Sequence, residues 1–220
     1  TNANGLATFH LVEGNYGYRV DKSGATGSKV GFVVAAPNPG ANDQTLTSTL
    51  ATVVVNVVDS SGASRSGYVV RVFNGVDGTG SEWGNATTNA SGEATFYLVE
   101  GSYGYRVDRA GAISAKIGFT VIAHSDRSLT FTLARITVHV QTSSGVAAPG
   151  YLVRLYNGTS GSGTEWGNQT TNAAGQATFD VPSGGFQYQV ERSGYNSGRL
   201  PPSGVSVAAE EQLMLTHTLP

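Results

Sequence analysis

The chain has 220 residues, of which 30 are glycine and only 13% are charged, and its formal net charge is -2. This charge leaves no basic excess with which to hold nucleic acid or an anionic membrane surface. The absence of cysteine excludes disulfides, thiolate metal sites and cysteine nucleophiles. No apolar run reaches the ~18 residues of a membrane-spanning helix. We therefore expect no nucleic-acid partner and no membrane insertion.

The chain begins with a segment that returns later. Residues 1–24 read TNANGLATFHLVEGNYGYRVDKSG and residues 88–111 read TNASGEATFYLVEGSYGYRVDRAG, with identity at 18 of 24 positions. A more distant third copy begins at Thr171, and a second block ends in EWGNATTN at Asn89 and in EWGNQTTN at Asn172. Together the two blocks make a repeating unit of about 80–90 residues, a period typical of arrays of small domains.

The repeat divides the chain into three parts. Residues 51–134 form one complete unit, the middle unit, and residues 135–220 form another, the last unit. Residues 1–50 hold only the later half of a unit and are called the first half-unit. An isolated half would leave an apolar face and a strand edge uncovered, so we expect an upstream segment or a neighbouring chain to complete it. Because the chain starts with Thr1, we expect a processed product or a segment of a longer protein.

Each complete unit reads as a series of short strands separated by turn residues. In the middle unit, residues 52–58 are a β-branched run, and residues 68–73 alternate between two faces. A glycine-rich loop follows, and then Ala94, Phe96 and Leu98 share one face of a third strand. Further strands are predicted over 103–107, 116–122 and 129–133, and no window has a helical period. The pattern predicts an all-β fold of tandem antiparallel β-sandwich repeats of the immunoglobulin-like or prealbumin-like kind.

Three motifs give the unit a family likeness: a strand that ends in DSSG, the segment TNASGEATF, and EGSYGYRVD. With these the chain resembles bacterial immunoglobulin-like or prealbumin-like repeat domains, of the carboxypeptidase-regulatory-like and adhesin B-repeat types. The resemblance covers all 220 residues. It implies a stalk, spacer or fibre segment of a secreted or cell-surface protein, and it is an analogy of fold rather than of site.

The best candidate for a binding site is a predicted loop that occurs in both complete units. It carries Glu82 and Trp83 in the middle unit and Glu165 and Trp166 in the last unit. An indole at the end of a sandwich could stack on a sugar ring, while the carboxylate binds hydroxyls. The alternative is that each tryptophan fills the end of a core or the junction between two units, and we favour it because the loop repeats with the scaffold.

Four asparagines stand in N-x-S/T sequons and are candidate N-glycosylation sites: Asn85, Asn89, Asn157 and Asn168. Asn85 and Asn168 occupy equivalent positions in the two units, which makes them the better acceptors. The alternative is that all four are unmodified turn asparagines.

Nothing in the sequence indicates catalysis. The four histidines do not recur at equivalent positions, and no nucleophile elbow, zinc-binding motif or histidine cluster is present. We expect no enzyme activity, no cofactor and no metal. The sequence predicts an extracellular structural protein that self-associates into a fibre, filament or surface stalk, with strand complementation of residues 1–50 as one route. The alternative is an adhesin or glycan-binding accessory module that uses the tryptophan loops.

Overall fold

The computed structural model describes residues 1–22, 25–27, 29–35, 44–123 and 125–220. Parts of the first half-unit therefore lie outside the described residues. Twenty strands and one short 3-10 turn, Val76–Gly78, make up the secondary structure of the described ranges. The all-β prediction is confirmed, and no helix in these ranges is long and apolar enough to cross a membrane.

The middle unit is built from eight strands in two sheets. The larger sheet has the order β10-β9-β6-β7, with β11 also paired to β9, and the smaller sheet has the order β12-β5-β8. The strands are β5 (Ala51–Val58), β6 (Val69–Asn74), β7 (Glu82–Thr87), β8 (Glu93–Leu98), β9 (Gly101–Arg109), β10 (Ala112–Ile113), β11 (Ile117–Val121) and β12 (Arg127–Thr132).

The last unit repeats this plan. Its sheets have the orders β15-β14-β17-β18, with β19 on β17, and β16-β13-β20. The strands are β13 (Ala134–Gln141), β14 (Leu152–Asn157), β15 (Glu165–Thr170), β16 (Gln176–Val181), β17 (Gly184–Arg192), β18 (Tyr195–Asn196), β19 (Leu200–Val207) and β20 (Gln212–Thr218). Strand β13 begins at Ala134, one residue before Arg135, where the sequence predicts the start of the last unit.

The alternation of apolar residues places one face of each strand in a core. Along β5 the buried positions are Ala51, Val53, Val55 and Val57, and the intervening residues are partly exposed. Ala94, Phe96 and Leu98 are buried opposite them on β8, as the sequence predicts. Burial of the valine, phenylalanine and leucine side chains stabilises the sandwich by about 1.5–3 kcal/mol each.

One pair of strands in each smaller sheet departs from the antiparallel pattern. β12 runs parallel to β5, and β20 runs parallel to β13, so the first and last strands of a unit lie side by side. The chain therefore leaves a unit at the end of the sandwich opposite to the one where it entered. The next unit can then begin at that end after a very short connection.

The first half-unit has four short strands within its described residues: β1 (Gly14–Tyr18), β2 (Asp21–Lys22), β3 (Ala25–Thr26) and β4 (Val30–Val34). β1 pairs with β4, and β2 pairs with β3. Residues 6–11, which correspond to strand β8 of the middle unit, are not paired in a ladder and are exposed. The strand that would pair with them has no counterpart within residues 1–50.

Candidate functional site

The two tryptophans lie on strands, which corrects the predicted loop. Trp83 is on β7 and Trp166 is on β15, each at the edge of a larger sheet. Glycine and asparagine beside each tryptophan favour a loop by propensity. The ladder to the neighbouring strand overrides that preference, with Arg71 paired to Asn85 and Arg154 paired to Asn168.

Trp166 packs at the junction of the middle and last units. Its indole is partly buried and contacts the hydrophobic cores of both units. The ring centroid lies 6.2 Å from Phe186 of its own unit, in an edge-to-face arrangement, and 6.4 Å from Tyr68 of the middle unit. We call this junction the joint, and it comprises Tyr68, Arg109, Trp166 and the charged residues around Asp180.

Arg109 supplies a cation to the joint from the end of strand β9. Its guanidinium lies 4.7 Å from the centre of the Tyr68 ring and 5.6 Å from that of Trp166. Both distances are within the ~6 Å at which a cation is attracted to an aromatic face. Tyr68 is only 1% exposed, and this burial raises the pKa of its hydroxyl. The arginine thus bridges an aromatic ring of one unit and one of the next.

A chain of ion pairs crosses the joint beside the aromatic rings. Arg65 of the middle unit lies 2.6 Å from Asp59 and 2.8 Å from Asp180 of the last unit, and Arg135 lies 3.1 Å from Asp180. The Tyr68 hydroxyl donates to the backbone carbonyl oxygen of Asp180 at 3.2 Å. A single carboxylate of the last unit is therefore held by two arginines.

Asp59 is itself fixed by the turn that follows strand β5. It accepts hydrogen bonds from the Ser61 hydroxyl at 2.6 Å and from the backbone amides of Ser61 and Ala63. The Ser61 hydroxyl, those amides and the Arg65 charge lower the pKa of Asp59 from 3.8 to about 2. The DSSG motif thus anchors the carboxylate that orients Arg65 toward the last unit.

The turn after Arg109 also touches the last unit. The side-chain amide of Asn157 donates to the carbonyl oxygen of Ala110 at 3.2 Å. A β-carbon at Gly111, whose φ is +82°, would overlap the Asn157 side-chain nitrogen. On the other side of the joint, the Ala115 amide donates to the Ser183 hydroxyl at 3.2 Å. The joint is therefore closed by direct contacts at several points.

A similar arrangement lies between the first half-unit and the middle unit. The ammonium of Lys22 is 4.3 Å from the centre of the Trp83 ring, and Val20 packs against the core of the middle unit. Lys22 occupies the position of Arg109 in the repeated segment, and Trp83 occupies that of Trp166. The same cation–indole pairing thus recurs one unit apart.

Glu82 and Glu165, the predicted partners of the tryptophans in glycan binding, form ion pairs. Arg71 lies 3.0 Å from Glu82 and 2.9 Å from Asp108, and Arg154 lies 3.0 Å from Glu165. The carboxylates also accept hydrogen bonds from Asn85 and Asn168, and these bonds with the arginine contacts lower the pKa of each glutamate. Glycan contact through these residues stays a prediction.

The four sequon asparagines all use their side-chain nitrogen as a hydrogen-bond donor. Asn85 and Asn168 donate to the glutamates three residues earlier, Asn89 donates to Glu93, and Asn157 donates across the joint. Asn85, Asn89 and Asn168 are exposed and Asn157 is partly buried. Glycosylation stays a prediction for all four.

The joint leaves an open cleft at its surface. The lining includes Arg65, Tyr68, Arg109, Trp166, Asn168 and Gln169. Its lining combines an indole with guanidinium groups and side-chain amides. Within the described ranges, no three His, Asp or Glu side chains come together as a metal site.

No protein-family model matches the chain, and no curated protein matches it. Among solved structures, the chain is similar to the TIE protein of Bacillus anthracis, with 17% identity, a TM-score of 0.34, and coverage of 95% of this chain and 48% of that one. It is also similar to a streptococcal ancillary pilin, with 11% identity, a TM-score of 0.36 and coverage of 95% and 76%. A third is the minor pilin of Streptococcus agalactiae, with 15% identity, a TM-score of 0.37 and coverage of 77% and 94%. The chain spans about half the length of the first of these structures.

Proposed function

We propose that this chain is a structural segment of an extracellular or cell-surface filament or stalk, of the pilus or adhesin type, and that it carries out no catalysis. The observation that carries the proposal is the joint, where Trp166 of one unit packs against the core of another. An interface of buried aromatic rings and paired charges resists bending between units far better than a flexible linker does.

The connection between the units supports a stiff array. Strands β12 and β13 are separated by one residue, Leu133, and both Leu133 and Ala134 are completely buried. The Arg135 amide donates to the Glu211 carbonyl oxygen at 2.7 Å, so the chain is hydrogen-bonded immediately after the connection. A linker without free residues transmits force directly from one sandwich to the next.

The accessible surface of the chain also fits an elongated array. It measures 11787 Å². A compact monomer of 22.7 kDa would expose ~9,500 Å² by the usual scaling of area with mass. The excess of about a quarter fits units arranged in series, with apolar side chains of the first half-unit exposed.

The exposed face of the first half-unit supports completion by added strands. Phe9 is 73% exposed, whereas its counterpart in the middle unit, Phe96, is 4% exposed. Leu11 and Leu50 are likewise exposed, although Leu98 and Leu133 at their equivalent positions are fully buried. The middle unit buries these positions with strand β5, which pairs antiparallel with β8 and parallel with β12. We propose that a strand of the β5 kind, from an upstream segment or a neighbouring chain, covers residues 7–12 and 46–50.

Electron microscopy of the native material, negatively stained and not denatured, tests the structural role. We expect regular filaments or stalks of one unit's width. Isolated compact particles from native material would contradict the role.

A peptide with the sequence of residues 51–58 tests the completion. We expect it to bind the 220-residue chain and to slow hydrogen exchange of the amides of residues 7–12. The matched control is the same peptide with Val53→Asp and Val55→Asp, which places charges on the face that enters the core. Equal exchange with both peptides would refute this part of the proposal.

A second candidate function is glycan binding, and the cleft at the joint is the observation that favours it. The cleft is lined by Trp166, Arg109 and the side chains of Asn168 and Gln169. Screening the chain and its Gln169→Ala variant on a glycan array tests this candidate. Binding that the variant loses would support it, and no binding by the parent chain would remove it.

A further inference from the structure

A cation occurs three times at the same position of the repeated segment. Lys22, Arg109 and Arg192 are equivalent in the repeated segment, each after the sequence YRVD, YRVD or YQVE. The first two lie over a tryptophan of the following unit, at 4.3 Å for Lys22 and Trp83 and at 5.6 Å for Arg109 and Trp166. Arg192 belongs to the last unit and has no tryptophan of a following unit within the 220 residues.

The surface around Arg192 shares a cation and a tyrosine with the surface that receives Trp166. Arg192 lies 4.9 Å from the centre of the Tyr151 ring, as Arg109 lies 4.7 Å from that of Tyr68. Tyr151 and Tyr68 occupy the same position in their units, after a glycine of positive φ. The arginine therefore already lies over its own tyrosine, and like Arg109 it is exposed.

Burial differs between the two surfaces in the way that docking predicts. Tyr68 is 1% exposed beneath the last unit, whereas Tyr151 remains partly exposed. A β-carbon at Gly111 would meet Asn157 and Thr164 of the last unit, whereas one at the equivalent Gly194 would meet no heavy atom within 4 Å. One surface is covered by another unit, and its equivalent is open.

We propose that the surface formed by Tyr151, Arg192 and Gly194 is a docking surface for a further sandwich repeat. The partner is a repeat with a Glu-Trp-Gly-Asn edge strand, whose indole packs against Arg192 and Tyr151. The proposal rests on the proposed structural function and names the partner that extends the array. A second intact copy of this chain does not offer such an indole, because Trp83 and Trp166 already lie under Lys22 and Arg109.

Two residue differences between the middle and last units change the interactions that this contact can make. Ala148 stands where the middle unit has Arg65, so the ion pair from Arg65 to Asp180 has no equivalent at the docking surface around Arg192. Tyr195 stands where the middle unit has Ala112, which enters the core cluster of the last unit. The contact therefore depends on the cation and the aromatic rings more than the joint does. Removal of the Arg192 guanidinium should weaken this contact strongly.

The test uses the full chain extended after Leu219 by a copy of residues 134–219. Leu219 is equivalent to Leu133, so the copy begins with the same connection as the last unit. The tryptophans are labelled with fluorine, and the broadening of each indole's fluorine resonance by a dissolved neutral gadolinium chelate reports the accessibility of that indole. We expect the added indole to be protected to the same degree as Trp166.

Single substitutions then assign the protection. Arg192→Ala should expose the added indole and leave Trp166 unchanged, and the matched Arg109→Ala should do the reverse. Arg192→Lys should keep the added indole protected, since a lysine serves at the equivalent position over Trp83. The docking surface would be refuted if the added indole is accessible and Arg192→Ala does not change its accessibility, while Trp166 is protected. The array proposal would still stand in that case. If Trp166 is also accessible and indifferent to Arg109→Ala, the proposed joint fails as well.

Discussion

Gly111→Ala should weaken the joint between the middle and last units, and Gly194→Ala provides a closely matched control. Both glycines have positive φ values, +82° and +77°. An alanine therefore costs about 1 kcal/mol of conformational strain at either position. Only at Gly111 would the added methyl group also overlap the Asn157 side chain.

The additional cost at Gly111 follows from the hydrogen bonds of Asn157. To make room, that side chain must give up its bond to the Ala110 carbonyl oxygen at 3.2 Å or the bond it accepts from the Thr164 hydroxyl at 3.0 Å. Each such bond contributes about 0.5–1.5 kcal/mol net. We expect Gly111→Ala to lower the free energy of unfolding by about 0.5–1.5 kcal/mol more than Gly194→Ala does.

Urea unfolding followed by tryptophan fluorescence measures the difference, because Trp166 lies in the joint. Residual dipolar couplings report the relative orientation of the two units in the same samples. Gly111→Ala should alter the relative orientation of the two units that the couplings report, whereas Gly194→Ala should leave this orientation unchanged. Equal loss of stability in the two variants, with unchanged couplings in both, would refute the contact between the Arg109 turn and the last unit.

Three further predictions concern stability. Gly104→Ala should destabilise the middle unit by about 3 kcal/mol in urea titrations, because its β-carbon would lie 2.5 Å from the Gly78 backbone nitrogen; Gly84→Ala, with open space around the site, should change stability by less than about 1 kcal/mol. The pKa of Asp59 is lowered to about 2, so its contribution is complete above pH 3.8 and is lost as the pH falls toward 2. This contribution amounts to about 2 kcal/mol, and Asp59→Asn should flatten that part of the stability curve. Burial lowers the pKa of His217 below 6.5, so protonation favours the unfolded chain. The urea midpoint should therefore fall between pH about 7.5 and about 5.5, and His217→Gln should reduce the fall, whereas an unchanged slope would contradict a buried neutral imidazole.

The strands of the sandwich could be predicted from the sequence because they alternate. Ala94, Phe96 and Leu98 share a buried face as predicted, as do Tyr103 and Tyr105. Periodicity reports which face of a strand is buried, but it does not report which strand lies beside it. The parallel pairing of β12 with β5 was therefore not predictable from the pattern of a single segment.

The edge strands with the tryptophans were missed for a different reason. Gly84 and Asn85 have low strand propensity, and the pairing of their strand with β6 decides its conformation. The sequence does contain a pattern that indicates the contact at the joint. Lys22 and Arg109 are equivalent residues, and each precedes the tryptophan of the next unit by a similar distance along the chain, 61 residues in one case and 57 in the other, from the numbering.

Small-angle X-ray scattering of the 220-residue chain measures whether the units form a stiff, elongated array. A compact globule of this length has a radius of gyration of about 17 Å. Strands of eight or nine residues at ~3.3 Å per residue give units about 30 Å long, so units in series reach about 80 Å and a radius of gyration of about 23 Å or more. A radius of gyration near the larger figure, little changed by salt, would support the stiff array. A value near that of a compact globule would contradict it.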